Sequence, residues 1–291
     1  MPRPGSFSAF VFLIVASILA INSAYAQLLP KGWDHAVVLM EIQKKVDSQT
    51  QTINIGTGFL VSHNTAKGEQ RYLITAKHVL ASILPEPHNF SFKIDTASNL
   101  GYSVAIFVPT TSETKGSITS SVGIKTGESA WFMHHDFDVS AIDISKTKFP
   151  KDSQAAFFDI SLLATEQTFA SLDLAATDQT FVIVYDASLG IRLVRSGMIA
   201  AMSNNGTFLM ESRNLQGDSG SPVILQPTIS RKFGVIAPTP PTIIGLQSDI
   251  YSRLVPIGKF GNTQTDLMFP EAAGLSLVQP SFRILEIFPP Q

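Results

Sequence analysis

Short apolar runs rich in β-branched and aromatic residues follow one another along this chain, broken by glycine, proline and polar clusters. Residues 36–42 (AVVLMEI), 56–62 (GTGFLVS) and 71–76 (RYLITA) read as strands. The polar stretch HNTAKGEQ between the last two contains Gly68 and predicts a hairpin. Further strands are expected at 90–94 (FSFKI), 102–108 (YSVAIFV), 139–144 (VSAIDI), 180–186 (TFVIVYD), 191–202 (IRLVRSGMIAAM) and 208–212 (FLMES). SPVIL, GVIA and TIIGLQS continue the series at similar spacing. Helical patterning is scarce. SFRILEIF (281–288) follows Pro280 directly and predicts a short terminal helix, because proline is tolerated at a helix start. Residues 146–178 mix polar and small side chains and read as a connection between two β-units. No fixed-period repeat is present, which excludes solenoids and propellers. Many short strands at even intervals predict an all-β sandwich or barrels.

Residues 1–26 depart from this pattern. Arg3 precedes an uncharged apolar run, FSAFVFLIVASILAI, and SAYA closes the segment ahead of Gln27. That is the three-part layout of a secretory signal peptide, with cleavage expected after Ala26. The run is short for a membrane span and lacks a flanking cluster of Lys or Arg. Beyond Ala26 no apolar stretch approaches membrane length, so no stable membrane insertion is expected after cleavage. Cysteine is absent, which removes thiolate catalysis and Cys-based zinc sites and leaves stability to a hydrophobic core. With 21 basic and 23 acidic residues the formal charge is −2, and no electrostatic footprint for nucleic acid appears.

Candidate chemistry starts at residues 214–222, NLQGDSGSP, where Gly217 and Gly220 flank an Asp-Ser pair. A serine hydroxyl is a weak nucleophile unless a base sits beside it. Six histidines are available: His35, His63, His78, His88, His134 and His135. His78 stands out, because in LITAKHV an apolar strand gives way to what reads as a short helical turn. Its ring can face a cleft there while its neighbours pack behind it. A third group must orient the imidazole. HHDFDVSAIDI (134–144) offers Asp136, Asp138 and Asp143. Asp138 directly precedes a strand and is the best placed, with Asp136 second. His134, His135, Asp136 and Asp138 also invite a metal-site reading. Adjacent positions point apart on a strand and no third His cluster joins them, so a polar loop is expected, with no metal and no other cofactor.

GTGFLVS, LITAKHV, DVSAI and GDSGSP, in that order, give a chain that resembles the chymotrypsin-like (trypsin-like) serine peptidases. The bacterial disulfide-free branch, with its glutamyl endopeptidases and exported heat-shock peptidases, is similar in style. VRSGMIAAM (194–202), IIGLQS (243–248) and GLSLV followed by PSFRILEIF resemble later parts of the same family. The resemblance implies two six-stranded antiparallel β-barrels, packed together with the active site in the cleft, and a short C-terminal helix. The first barrel would span about 33–145, the connection about 146–178 and the second barrel about 179–291. It implies a triad of His78, Asp138 and Ser219, an oxyanion hole from the Gly217 and Ser219 amides, and substrate-binding positions at Arg213, Gln247 and Ser248. Protein or peptide substrates are expected, and no nucleic acid. Asp218 is not expected to be catalytic. In animal members the matching carboxylate pairs with a freed N-terminal amine; here an amine, an arginine or backbone amides remain open as its partner. Ser221, where many members have glycine, is matched in the glutamyl endopeptidases.

The leading expectation is an exported serine endopeptidase acting in the periplasm or outside the cell. The alternative is a silent trypsin-like binding module, since a fold never guarantees a function. No peptide-binding domain is expected after the terminal helix. Arg213, six residues before Ser219, falls where the resemblance puts the floor of the specificity pocket. A guanidinium there disfavours basic substrates and favours Glu or Asp before the cut. Neutralisation by Glu211 or Asp249 would instead leave an apolar or small-residue preference. Glutamyl endopeptidases carry a histidine near the position of Gln247, and this chain does not. Exported material is expected to begin at Gln27; N-terminal sequencing checks this, and retention of residues 1–26 would mean a membrane-anchored protein.

Overall fold

Burial along the strands divides them between two sheets, each with its own core. The computed structural model describes residues 29–66, 68–80, 102–110, 119–124, 130–213, 215–228, 239–256 and 268–288, without side chains at 119, 251–256 and 268–273. Gly32–Gln291 form one unit, separate from Met1–Lys31. The first-half strands are β1 (Val37–Val46), β2 (Gln49–Thr65), β3 (Gly68–Thr75), β4 (Tyr102–Pro109), β5 (Thr119–Ile124), β6 (Trp131–Met133), β7 (Ser140–Asp143) and β8 (Phe158–Asp159). Helix α1 (Glu166–Ser171) follows. Strands β9 (Gln179–Asp186), β10 (Ile191–Met202), β11 (Phe208–Glu211), β12 (Pro222–Leu225), β13 (Thr242–Pro256) and β14 (Met268–Pro280) lead to helix α2 (Ser281–Glu286).

Strands β9 to β14 close into a six-stranded antiparallel barrel in the order β10-β11-β14-β13-β12-β9. Val182, Val184, Ile199, Phe208, Met210, Val223, Leu225 and Ile244 fill it. Their spacing of two within each strand is what a pleated strand with one core-facing side requires.

Strands β1 to β7 form an antiparallel sheet in the order β5-β4-β1-β2-β3-β7-β6, and β8 adds in parallel to β2. Where the resemblance implies six strands closed into a barrel, the described residues give seven in a path that does not close, with β8 off that path. Its ends, β5 and β6, still pack on one core. Val122, Ile124 and Trp131 join Val38, Met40, Leu60 and Ile142 there. In β1, Val37 and Leu39 are buried as well as Val38 and Met40. Both faces are covered because β1 also meets β9, and Arg192 from β10 donates Nε to the Val37 carbonyl at 2.7 Å.

The strand readings at 36–42, 71–76, 102–108, 180–186 and 191–202 coincide with β1, β3, β4, β9 and β10. The hairpin at 63–70 is tighter than HNTAKGEQ suggests, with Thr65 pairing Gly68. The runs at 90–94 and 234–237, His88 and the leader at 1–26 lie outside the described residues. The 146–178 connection holds β8, α1 and a single turn at Ile160–Leu162.

Helix α2 forms where the sequence predicts it and ties the two sheets together. Ser281 donates Oγ to the Ala164 carbonyl at 2.8 Å, and Phe282 enters the second core. Phe288, just beyond the helix, lies 4.5 Å from Tyr72 of β3, ring centre to ring centre.

Candidate active site

Strand β3 ends at Thr75, and a single 3₁₀ turn, Lys77–Leu80, follows. Val79 and Leu80 are buried and anchor the turn, which leaves the His78 side chain 47% exposed. Across from it, the loop 134–138 leads into β7. Asp138 accepts from the His78 amide at 2.8 Å through Oδ1 and from the His78 ring Nδ1 at 2.6 Å through Oδ2. Ser248 of β13 donates Oγ to the same Oδ2 at 2.5 Å.

These contacts set the protonation of both groups. The hydrogen bond to Asp138 raises the His78 pKa above its ordinary 6.5; burial opposes this, and the charges of Asp138 and Asp249 add to it. For Asp138, burial is the largest single effect and pushes upward. The ring bond and charge of His78, the Ser248 hydroxyl and the His78 amide together hold its carboxyl below the ordinary value. With Nδ1 committed to a carboxylate, neutral His78 presents Nε2 as an acceptor.

The other candidate carboxylates turn elsewhere. Asp136 is exposed and pairs with His135 at 2.6 Å, and Asp143 accepts from the Ser145 amide. His134 accepts the Asp136 and Phe137 amides on Nδ1, each at 3.1 Å, and meets Glu286 of α2 through Nε2 at 2.7 Å. His134 and His135 therefore have separate partners, and His134 shapes the loop that delivers Asp138. His35 lies 3.8 Å from Asp34.

Ser219 sits in a tight loop between β11 and β12. The Asp218 amide donates to the Leu215 carbonyl, and the Ser221 amide to that of Asp218. Gly217 and Gly220 have φ of +97° and +95°, a region that disfavours any side chain. A Cβ on Gly217 would meet no heavy atom within 4 Å, so its conformation and not crowding accounts for the glycine. Gly220 is different, because a Cβ there would lie 1.9 Å from the Thr57 carbonyl oxygen and 2.4 Å from Thr75 Oγ1.

That closeness is how the loop docks on the first sheet. The Thr57 amide donates to the Ser219 carbonyl at 2.9 Å, and Thr57 Oγ1 to the Gly217 carbonyl at 2.8 Å. Thr75 Oγ1 donates to the Thr57 carbonyl at 2.8 Å, and Ser140 Oγ to that of Thr75 at 3.1 Å. On the other side, the Gly220 amide donates to the Gln247 carbonyl, and the Gln247 amide to that of Ser221. Neither the Gly217 nor the Ser219 amide donates to a backbone carbonyl among the described residues.

The carboxylate of Asp218 is nearly fully buried. It accepts from Arg195 Nη1 at 2.5 Å and from the Leu215 amide at 2.7 Å. Its partner is thus an arginine of β10 together with a backbone amide. Burial raises the Asp218 carboxyl, opposed by the Leu215 amide and by Arg195. Arg195 Nη1 also donates to the Arg213 carbonyl at 3.0 Å. Arg213 itself is exposed and has no carboxylate within ion-pair distance among the described residues, Glu211 and Asp249 included. It lines a cavity of about 570 Å³ with Gln179, Ser196, Met198, Glu211 and Gly274. Gln247 and Ser248 are buried; Ser248 is the bridge to Asp138, and Gln247 Oε1 has no described partner.

Sequence reasoning missed Thr57, Thr75 and Arg195. Thr57 carried a signal, standing between Gly56 and Gly58, and Arg195 is a charge inside an apolar strand.

No protein-family model matches the chain, and no curated protein matches it in sequence. Solved structures do resemble it in shape. Deg5 matches at TM-score 0.46 and 13% identity over 78% of this chain and 83% of its own. The MamO protease domain of Magnetospirillum magneticum, in its apo form, matches at 0.47 and 13% over 90% of this chain and all of its own. A serine endoprotease from Yersinia pestis matches at 0.42 and 14% over 76% of this chain and 56% of its own.

Removing one partner of a buried ion pair leaves an uncompensated charge. Arg195→Leu is therefore expected to lower stability by about 3–5 kcal/mol, and adding Asp218→Asn to restore part of it. Urea unfolding measures both, and a loss below about 0.5 kcal/mol for Arg195→Leu would show that the pair does not hold the loop.

Proposed function

We propose that this protein is an exported serine endopeptidase in which Ser219 is the nucleophile, His78 the general base and Asp138 the group that orients it. The observation that carries this reading is the double grip of Asp138 on His78, through both the ring and the amide. One grip fixes the tautomer and the other fixes the turn, so Nε2 is left to accept the Ser219 proton.

In the proposed reaction, Ser219 Oγ attacks the scissile carbonyl while His78 takes its proton. The new C–O bond gives a tetrahedral intermediate whose oxyanion is met by the Gly217 and Ser219 amides. Collapse breaks the C–N bond as His78 passes the proton to the leaving amine. Water then hydrolyses the acyl-enzyme by the same route. Asp138 stabilises the imidazolium at each step. Removing one oxyanion donor typically costs about 10²–10³ in rate. Arg213, exposed and without a described carboxylate partner, favours an acidic over a basic side chain before the cut.

Kinetics on casein and on a peptide library test this reading. Ser219→Ala and His78→Ala should abolish turnover, and Asp138→Asn should lower it by about 10⁴. Because only neutral His78 acts as a base and its pKa is raised, the rate should climb with pH through a value above 6.5. Asp138→Asn removes the cause of the rise and should move that limb to lower pH. Turnover that survives in Ser219→Ala would overturn the assignment, and cuts confined to Lys or Arg would overturn the role of Arg213.

A further inference from the structure

The loop 134–138, which carries Asp138 to His78, has no strand or helix of its own. Its amides therefore lie outside any ladder, and those of Asp136 and Phe137 both donate to His134 Nδ1 at 3.1 Å. The His134 amide closes the loop on the Val139 carbonyl at 3.0 Å. Lys77 Nζ donates to the His134 and His135 carbonyls at 3.0 and 3.3 Å. A loop without a ladder takes its shape from side-chain contacts of this kind.

Two N–H donors on Nδ1 mean that this nitrogen carries no hydrogen. In the neutral ring the hydrogen is then on Nε2, which donates to Glu286 Oε2 at 2.7 Å. His134 is thus the opposite tautomer from His78, whose Nδ1 donates to Asp138. Its side chain is only 11% exposed, so water competes little for either nitrogen.

Glu286 belongs to α2 and is itself held in place. Arg283 Nη1 donates to both its oxygens, at 2.7 and 3.0 Å. The same guanidinium lies 4.3 Å from the centre of the Phe137 ring, and the His134 ring meets Phe137 edge-on at 4.9 Å. Burial is the largest effect on the Glu286 carboxyl and pushes it upward. The bonds from His134 and Arg283, with their charges, nevertheless hold it below its ordinary value, so it is an ionised acceptor at neutral pH. Because Phe282 seats α2 in the second core, the contacts run from that barrel through Glu286 and His134 to the loop, and so to Asp138.

We propose that His134 and Glu286 are positioning residues for the reaction, a strut from α2 that holds Asp138 against His78. This rests on the triad reading given above, and it makes the terminal helix part of the site's machinery. His134→Gln and His134→Asn separate positioning from bulk stability. Asn places an amide oxygen near the position of Nδ1 and can keep the two loop contacts. Gln places an amide nitrogen near the position of Nε2 and keeps only the contact with Glu286.

With casein as substrate, His134→Gln should lower kcat about 10²-fold with KM unchanged, and His134→Asn should retain most of it. NMR titration of His78 reads the position of Asp138 without any turnover. The bond to Asp138 raises the His78 pKa, so a loosened loop should move that titration to lower pH in His134→Gln and leave it in place in His134→Asn. Glu286→Ala, at a side chain 40% exposed, should show both effects to a smaller degree, and it carries the test if the His134 variants do not fold. A folded His134→Gln or Glu286→Ala protein with wild-type kcat and an unmoved His78 titration would overturn the proposal. Equal losses in His134→Gln and His134→Asn would overturn it as well. A wild type that cleaves nothing counts against the triad reading, and the His78 titrations alone then decide the strut.

Discussion

The carboxylate of Asp138 is the point on which the site's geometry depends. It accepts from the ring and the amide of His78 on the first sheet and from the Ser248 hydroxyl on the barrel. A buried carboxylate left alone would be driven toward its neutral form. These hydrogen bonds and the adjacent imidazole outweigh that tendency and keep it ionised. The same bonds link the two halves of the molecule, so the electrostatics of the site and the docking of β13 against the first sheet are not separable.

A second constraint is steric. Gly220 meets the first sheet so closely that a single added carbon would collide with the Thr57 carbonyl. The Ser219 loop is held by hydrogen bonds from Thr57 on one side and to Gln247 on the other, and from beneath by Arg195 through Asp218. The acyl transfer proposed above would draw on preorganisation of this kind, because donors already aimed at a developing charge need no rearrangement as it forms. The loop thus gains its shape from contacts within Gly32–Gln291, with Arg195 the charge partner of Asp218.

Much of this was legible in the sequence. β1, β3, β9 and β10 are apolar runs bounded by turn formers, and their boundaries follow from that contrast. Asp138 was separable from Asp136 and Asp143 because it alone immediately precedes a strand, and Ser248 was singled out, though for substrate binding and not as a donor to Asp138. What was hidden depends on long-range contact. The β2 extension at 49–55 is polar and exposed, so its period-2 pattern carries little hydrophobic signal. β5 and β6 are short and were not read as strands, and the expectation of six strands in the first sheet came from the family resemblance. The pairing of Arg195 with Asp218, and of His134 with Glu286, joins residues far apart in the chain, and no local pattern reports it.

The central claim is that the His78–Asp138 pair activates one particular serine. Intact-mass and peptide-mapping analysis after treatment with a fluorophosphonate measures this directly. A single adduct at Ser219, lost when His78 is replaced by alanine although the protein remains folded, is the predicted result. A folded wild type that takes up no adduct, or takes it up at another residue, would contradict the account.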